Sequence, residues 1–364
     1  MNKITVVDVS MAGNPVGRIA MNEDNLCAFE YNTEYIRTGQ SISPFFLPLK
    51  SGLFMAKRTP FKGGFGVFDD SLPDGWGNLL LDRYLQQKNI NAAKLTLLQR
   101  LSLVGTTGRG ALEYQPDGSE SQREERLDFD KLASETAKIL TSDYTGDSLE
   151  TLYQYAGSSG GARPKIFVTI KGREWLVKFK AFNDPEEVGK IEYAYSLLAK
   201  DCGIEMPETQ LFEGNYFGVE RFDRTPAGKI HTISAAGLLN ADYRIPSLDY
   251  TTLLKISLHL TKDIKQVYAL FRLMVFNIVI SNRDDHAKNF SFQLKNGEWK
   301  LSPAYDLLPS KGFNGFHTTT VNGQGEPSFE DMLTTAKDAG LSKQQAREII
   351  DEITEKYQIF KNSN

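Results

Sequence analysis

Apolar and polar positions alternate from the start of the chain. Residues 4–9 are rich in β-branched side chains, Gly13-Asn14 marks a turn, and residues 16–20 alternate as a returning strand, so the chain opens with a β-hairpin. Residues 26–31 and 45–49 continue the strand pattern. The period lengthens at residues 76–87, entered through Pro73-Asp74-Gly75, where Leu79, Leu80 and Tyr84 share a helical face. Residues 103–114 are rich in glycine, and the charged stretch 115–125 has no apolar period, which predicts an exposed loop. Strand patterns return at 166–170 and 175–180. A helix is predicted over 186–202, with Ile191, Ala194, Tyr195, Leu198 and Ala199 on one face and Gly203 and Pro207 ending it. Strands at 208–213 and 216–222 follow. From Ala235 onward the pattern is mainly helical, over 250–257, 264–280, 329–339 and 343–360. The order predicts an α+β protein with a β-rich first part and a helical second part.

Composition narrows the classes. The chain has 364 residues, 40% of them hydrophobic, enough for one large core or two to three smaller ones. A formal charge of −4 argues against a chain-wide nucleic-acid footprint, so any contact with DNA is expected to be indirect. The two cysteines, Cys27 and Cys202, are far apart and outside any CxxC or Cys/His pattern, which points to neither a zinc site nor a disulfide framework. The first residues read as a strand rather than a signal peptide. No apolar run reaches the length of a bilayer span, and a cytoplasmic location without membrane contact is expected.

Candidate chemistry concentrates in three places. Residues 157–165, Gly-Ser-Ser-Gly-Gly-Ala-Arg-Pro-Lys, precede a strand. Glycines such as Gly160 and Gly161 let backbone N–H groups approach phosphate oxygens, although the spacing is not that of a Walker A loop and a flexible linker has the same composition. The partner strand ends in Lys178-Phe179-Lys180, and Lys178 or Lys180 suits a phosphate-binding lysine. Glu192, near the start of the next helix, is placed to pair with it, the bland alternative being a solvated helix glutamate. The third place is the run Asn282-Arg283-Asp284-Asp285-His286-Ala287-Lys288-Asn289, followed by a predicted strand pair and Ser302-Pro303-Ala304-Tyr305-Asp306. An Asp, an Asn five residues on, and an isolated Asp beyond a hairpin is the kinase spacing of a substrate-orienting base and two Mg²⁺ ligands. On that spacing Asp284 orients the attacking hydroxyl, Asn289 and Asp306 supply hard oxygens for Mg²⁺, and Lys288 lies near the transferring phosphate.

Through residues 157–165, Val219-Glu220-Arg221-Phe222-Asp223-Arg224, the DxHAKN run at Asp284 to Asn289 and the AYDLLP run at Ala304 to Pro309, the chain resembles the HipA-type serine/threonine kinase toxins of bacterial toxin–antitoxin systems. The resemblance covers almost the whole chain. It implies a bilobal protein-kinase-like fold with an N-terminal subdomain at 1–105, a kinase N-lobe at 106–224 and a helical C-lobe at 225–364. It further implies ATP and Mg²⁺ as cofactors and a protein substrate, aminoacyl-tRNA synthetases being among those of the family. The implied partner is a HipB-like DNA-binding antitoxin, through which alone DNA would be met. On this resemblance Lys178, Gly160 and Gly161 serve the ATP phosphates, Glu220 and Phe222 meet adenine through the linker backbone, and Asp284 is catalytic. Ser158 is the implied autophosphorylation site, with Ser159 the runner-up. Two other functions compete: an ATP-binding pseudokinase or regulatory binding protein, and a small-molecule kinase of the aminoglycoside or homoserine type.

Overall fold

In the computed structural model, residues 3–120, 128–141, 148–156, 159–312 and 314–363 are described. They form two compact units, one of Met1–Lys190 with Thr209–His231, the other of Ile191–Glu208 with Thr232–Asn364.

The first unit begins with strands β1 (Val6–Met11) and β2 (Asn14–Met21), joined through Ala12 and Gly13. Both turn residues have positive φ, the backbone twist that a tight hairpin needs. With β3 (Cys27–Tyr31), β4 (Leu53–Met55) and β5 (Leu112–Gln115) they make a five-stranded sheet in the order β4-β3-β2-β1-β5. Strand alternation turns Val7, Val9, Ile19 and Phe29 inward, all essentially without solvent contact. The strand expected over 45–49 is not formed. That stretch is a turn closed by a single bridge between Ser43 and Leu47, because Tyr31 and Ser41 donate their hydroxyls to the Leu47 carbonyl and take up the group a ladder would use.

Helix α1 (Gly75–Gln87) agrees with the predicted helix and buries Trp76, Leu80, Leu81 and Tyr84. Helix α2 (Leu97–Val104) starts with a capping box between Thr96 and Gln99. After α3 (Phe129–Thr141) and α4 (Ser148–Ala156), strands β6 (Lys165–Ile170), β7 (Arg173–Lys178), β8 (Thr209–Phe212) and β9 (Tyr216–Glu220) form a second sheet in the order β6-β7-β9-β8. One face of this sheet, with Ile166, Val168, Trp175 and Val177, packs with α1, α3 and α4 into an apolar cluster. Each such side chain contributes about 1.5–3 kcal/mol relative to exposure. The alternate positions of the same strands, Lys165, Phe167 and Lys178, therefore fall on the opposite face.

The second unit takes most of helix α5 (Val188–Asp201), which crosses the division, and is built around α6 (Tyr250–Thr261) and α7 (Ile264–Val279). Asp249 and Asp263 cap these two helices. Val267, Leu270, Phe271, Met274 and Phe276 of α7 lie in a core shared with α8 (Phe329–Asp338) and α9 (Lys343–Ser363). Ser281, with φ of 57°, ends the helical path just past α7, and the polar run at 282–289 begins there. It leads into the hairpin of β10 (Ser291–Lys295) and β11 (Glu298–Leu301), the predicted strand pair. Among the described residues no helix is long and apolar enough to cross a membrane.

Candidate active site

In the first unit the hairpin turn Lys171-Gly172 fixes the register of β6 and β7, so that Lys165 stands directly opposite Lys178. Like charges in that relation are unfavourable unless an anion answers them. Lys165 is 5% exposed and donates from Nζ to the Gly160 carbonyl. The Lys178 ammonium lies 5.6 Å from the centre of the Phe217 ring. Strand β7 ends at Lys178, and Lys180, beyond it, pairs with Glu186, so of the two lysines Lys178 is the one on the strand.

Gly160 and Gly161 lie against the Lys165 ammonium. The Gly161 N–H donates to the Asp74 carboxylate, and the Gly161 carbonyl accepts from the Trp76 N–H at 3.0 Å. Ser159 is 1% exposed, and its hydroxyl has no hydrogen-bond partner among the described residues. Ser158 lies outside the described residues. Arg163 is engaged by Asp184 at 3.0 Å.

Glu220, the last residue of β9, receives the Arg173 Nε at 2.7 Å. Phe222 has the Arg109 guanidinium 5.9 Å from its ring centre. Between them the chain is not a solvated linker. Arg221 and Asp223 are buried and paired at 2.9 Å, and Asp223 also accepts from Arg224 at 3.0 Å and from the Gly110 N–H at 2.7 Å. Burial opposes the charge on Asp223, but the two guanidiniums and the Gly110 amide hold its carboxyl well below the usual carboxylate range. The segment is thereby clamped to the loop before β5.

In the second unit, neighbouring carboxylates point opposite ways. The Asp284 side chain is 65% exposed, with its Oδ1 3.8 Å from His286 Nε2. Asp285 has no exposed surface and accepts from the Tyr250 hydroxyl at 2.9 Å, from His317 Nδ1 at 2.9 Å and from the Thr318 N–H at 2.8 Å. Asn289 donates its amide to the Asp284 carbonyl at 2.6 Å, which turns its own oxygen away from that contact. The Lys288 ammonium sits 4.2 Å from the centre of the Tyr243 ring, and the Lys288 carbonyl accepts the Tyr305 hydroxyl at 2.6 Å. That bond pins the 282–289 loop to the segment carrying Asp306. Asp306 has φ of 55°, and its carbonyl accepts Asn282 Nδ2 at 3.1 Å while the same amide bonds Asn277. Asp284, Lys288, Asn289 and Asp306 are thus joined in one hydrogen-bonded assembly. Glu192, on α5, is 4% exposed and so is not the solvated helix glutamate of the bland alternative.

Comparison with known proteins assigns the chain. Residues 157–359 match the HipA-like C-terminal domain, and residues 7–115 match the HipA N-terminal domain. The chain belongs to the HipA family. Y4dM of Sinorhizobium fredii, provisionally named a kinase, is 26% identical over 365 residues, covering 94% of this chain and 84% of that protein. A Haemophilus influenzae protein, likewise provisionally named a kinase, is 28% identical over 195 residues, 46% of this chain and 57% of its own. The HipA fold is matched by a chain of the Shewanella oneidensis HipA, HipB and operator DNA complex, with a TM-score of 0.70 at 16% identity, over 95% of this chain and 88% of that one.

Several residues that build these two clusters, one in each unit, escape motif reading. Lys165 carries a sequence signal, since a two-residue Lys-Gly turn sets it opposite Lys178. Asp74, Asn282, Asp285, His317 and Thr318 carry none, because each acts through a side-chain bond to a residue distant in the chain or on another element.

Proposed function

We propose that this HipA-family protein is an ATP- and Mg²⁺-dependent serine/threonine protein kinase of the toxin type, restrained by a HipB-like antitoxin. The observation that supports the reading is the strand register that sets Lys165 opposite Lys178 on one face, with Lys165 reaching the glycine loop at Gly160, in a chain whose residues 157–359 match the HipA-like C-terminal domain. Lys178 and Lys165 would hold phosphate oxygens, and the backbone around Glu220 and Phe222, made stiff by the Asp223 clamp, would meet the adenine edge. Asp284, exposed beside His286, is free of the burial that fixes Asp285, and so suits orienting a substrate hydroxyl and accepting its proton.

The donor set fits Mg²⁺. Asn289 and Asp306 offer an amide and a carboxylate oxygen. Among the described residues no group of three or more His, Cys, Asp or Glu side chains could hold a metal, so an ion here would complete its shell with phosphate and water oxygens, as Mg²⁺ commonly does. When bound, it would neutralise charge on the transferring phosphate. Glu192, buried, would serve as the partner of a phosphate-binding lysine. Autophosphorylation is proposed at Ser158, with Ser159 the runner-up, since a phosphoserine in the glycine loop would add roughly −1.5 to −2 charge and repel nucleotide. An aminoacyl-tRNA synthetase is the substrate class proposed. The structure matched from Shewanella oneidensis, titled as a complex of HipA, HipB and operator DNA, supports a HipB-like partner, and DNA contact only through that partner is proposed with it.

Incubation of purified protein with γ-labelled ATP, Mg²⁺, candidate proteins and small alcohols tests the reading, with sites mapped by mass spectrometry. Label on serine or threonine of a protein, lost in Lys178→Ala, is expected. Label confined to small alcohols, or none at all, would overturn it.

A further inference from the structure

The glycine loop is docked on the start of α1 by three bonds and braced by a fourth within the loop segment itself. Gly161 N–H donates to Asp74, Trp76 N–H donates to the Gly161 carbonyl at 3.0 Å, Trp76 Nε1 donates to the Lys165 carbonyl at 3.0 Å, and Lys165 Nζ donates to the Gly160 carbonyl. Two glycines make the approach possible. A Cβ on Gly75, whose φ is +23°, would lie 2.6 Å from the Gly161 carbonyl oxygen, and one on Gly161, at φ +84°, would lie 2.7 Å from Lys165 Nζ.

A phosphate-cradling loop works through backbone N–H groups and an ammonium. Here an N–H of the loop already meets a carboxylate, whose charge and acceptor oxygens make it the side-chain group closest in chemistry to a phosphate oxygen. The ammonium already meets a carbonyl. Ser159 adds an independent sign: its hydroxyl is buried with no partner among the described residues, a cost that this loop position leaves unrelieved.

We propose that Asp74 sets the nucleotide affinity of the glycine loop by occupying, with its own carboxylate, the Gly161 N–H that a nucleotide phosphate would take. The inference rests on the nucleotide reading of the loop given above. Binding is then an exchange in which phosphate displaces carboxylate, and the displaced negative charge stays nearby to weaken the complex. Asp74 is within the residues matched by the HipA N-terminal domain and Gly161 within those matched by the C-terminal domain, so the first acts directly on the second. It is a positioning residue, and its effect is confined to ligands that carry phosphate.

Calorimetric titration of the full chain with Mg²⁺ and a non-hydrolysable ATP analogue, ADP or adenosine tests this. Asp74→Asn keeps the shape of the side chain and removes its charge, and Asp74→Ser withdraws the contact. Both variants are expected to bind the two phosphorylated ligands about three- to tenfold more tightly, with adenosine unchanged. Should Asp74→Asn fold poorly by circular dichroism, Asp74→Ser provides the same reading. Unchanged or weaker binding of the phosphorylated ligands in the folded variants, with wild type binding them normally, overturns the assignment. Equal loosening or tightening of adenosine overturns it as well, since that marks a structural effect. If wild type and Lys178→Ala bind the ATP analogue alike, the nucleotide reading fails, and the Asp74 assignment falls with it.

Discussion

In the loop at 282–289 the buried carboxylate of Asp285 collects donors from Tyr250, His317 and Thr318, Thr319 Oγ1 holds the Asp285 carbonyl, and Thr318 Oγ1 holds the Arg283 carbonyl at 3.0 Å. In the glycine loop a buried hydroxyl, that of Ser159, has no partner among the described residues, and the Gly161 N–H and Lys165 ammonium are met by neighbours that a ligand could displace. The first loop is over-determined and the second is exchangeable. The difference follows the proposed chemistry: the group that aligns a hydroxyl must not move between turnovers, whereas the group that grips phosphate must let it in and out.

The largest expected effect lies on the rigid side. Asp284→Asn should lower phosphoryl transfer about a hundred- to ten-thousandfold while leaving the far-ultraviolet circular dichroism unchanged, because the side chain is exposed and carries no packing. Near-normal transfer in that variant would remove Asp284 from the site. Its neighbour should behave in the reverse manner. Asp285→Ala strips a buried charge from several donors at once and should cost about 3–5 kcal/mol of stability, read as a fall in the urea midpoint. An unchanged midpoint would mean that the loop is not braced by Asp285.

How far the sequence alone reaches follows the same contrast. Most of the long helices and the sheet-forming hairpins are legible in apolar period and turn residues, although the helices Phe129–Thr141 and Ser148–Ala156 are not among those predicted, and the Asp284, Asn289 and Asp306 spacing is legible as a motif, because those signals are local. The pairing of Lys165 with Lys178 is legible one step further, once the Lys171-Gly172 turn is allowed to set the register. The brace is not. Thr318 reaches Asp285 across 33 positions through a backbone bond, and nothing in the composition of His317-Thr318-Thr319 separates it from a polar turn. Asp74 reads as a turn residue ahead of a helix, and its bond to Gly161 spans 87 positions. The missing strand at 45–49 has the same origin, since apolar residues there suggest a ladder and two hydroxyls across the fold decide against it.

A pair of conservative substitutions sharpens the comparison at its finest scale. Thr319 has no exposed surface, and its hydroxyl donates to the Asp285 carbonyl. Thr319→Val preserves the shape and leaves that carbonyl without its donor, which should cost about 1–2 kcal/mol. Ser159→Ala deletes a similarly buried hydroxyl that has no partner among the described residues, so removing it relieves an unsatisfied group and leaves only a small void. Its stability should lie within about 0.5 kcal/mol of the wild type or slightly above it. Urea unfolding of both variants under one buffer condition measures the two together. If Ser159→Ala loses as much as Thr319→Val, the glycine loop is held by its serine after all, and the contrast between a braced loop and an exchangeable one does not stand.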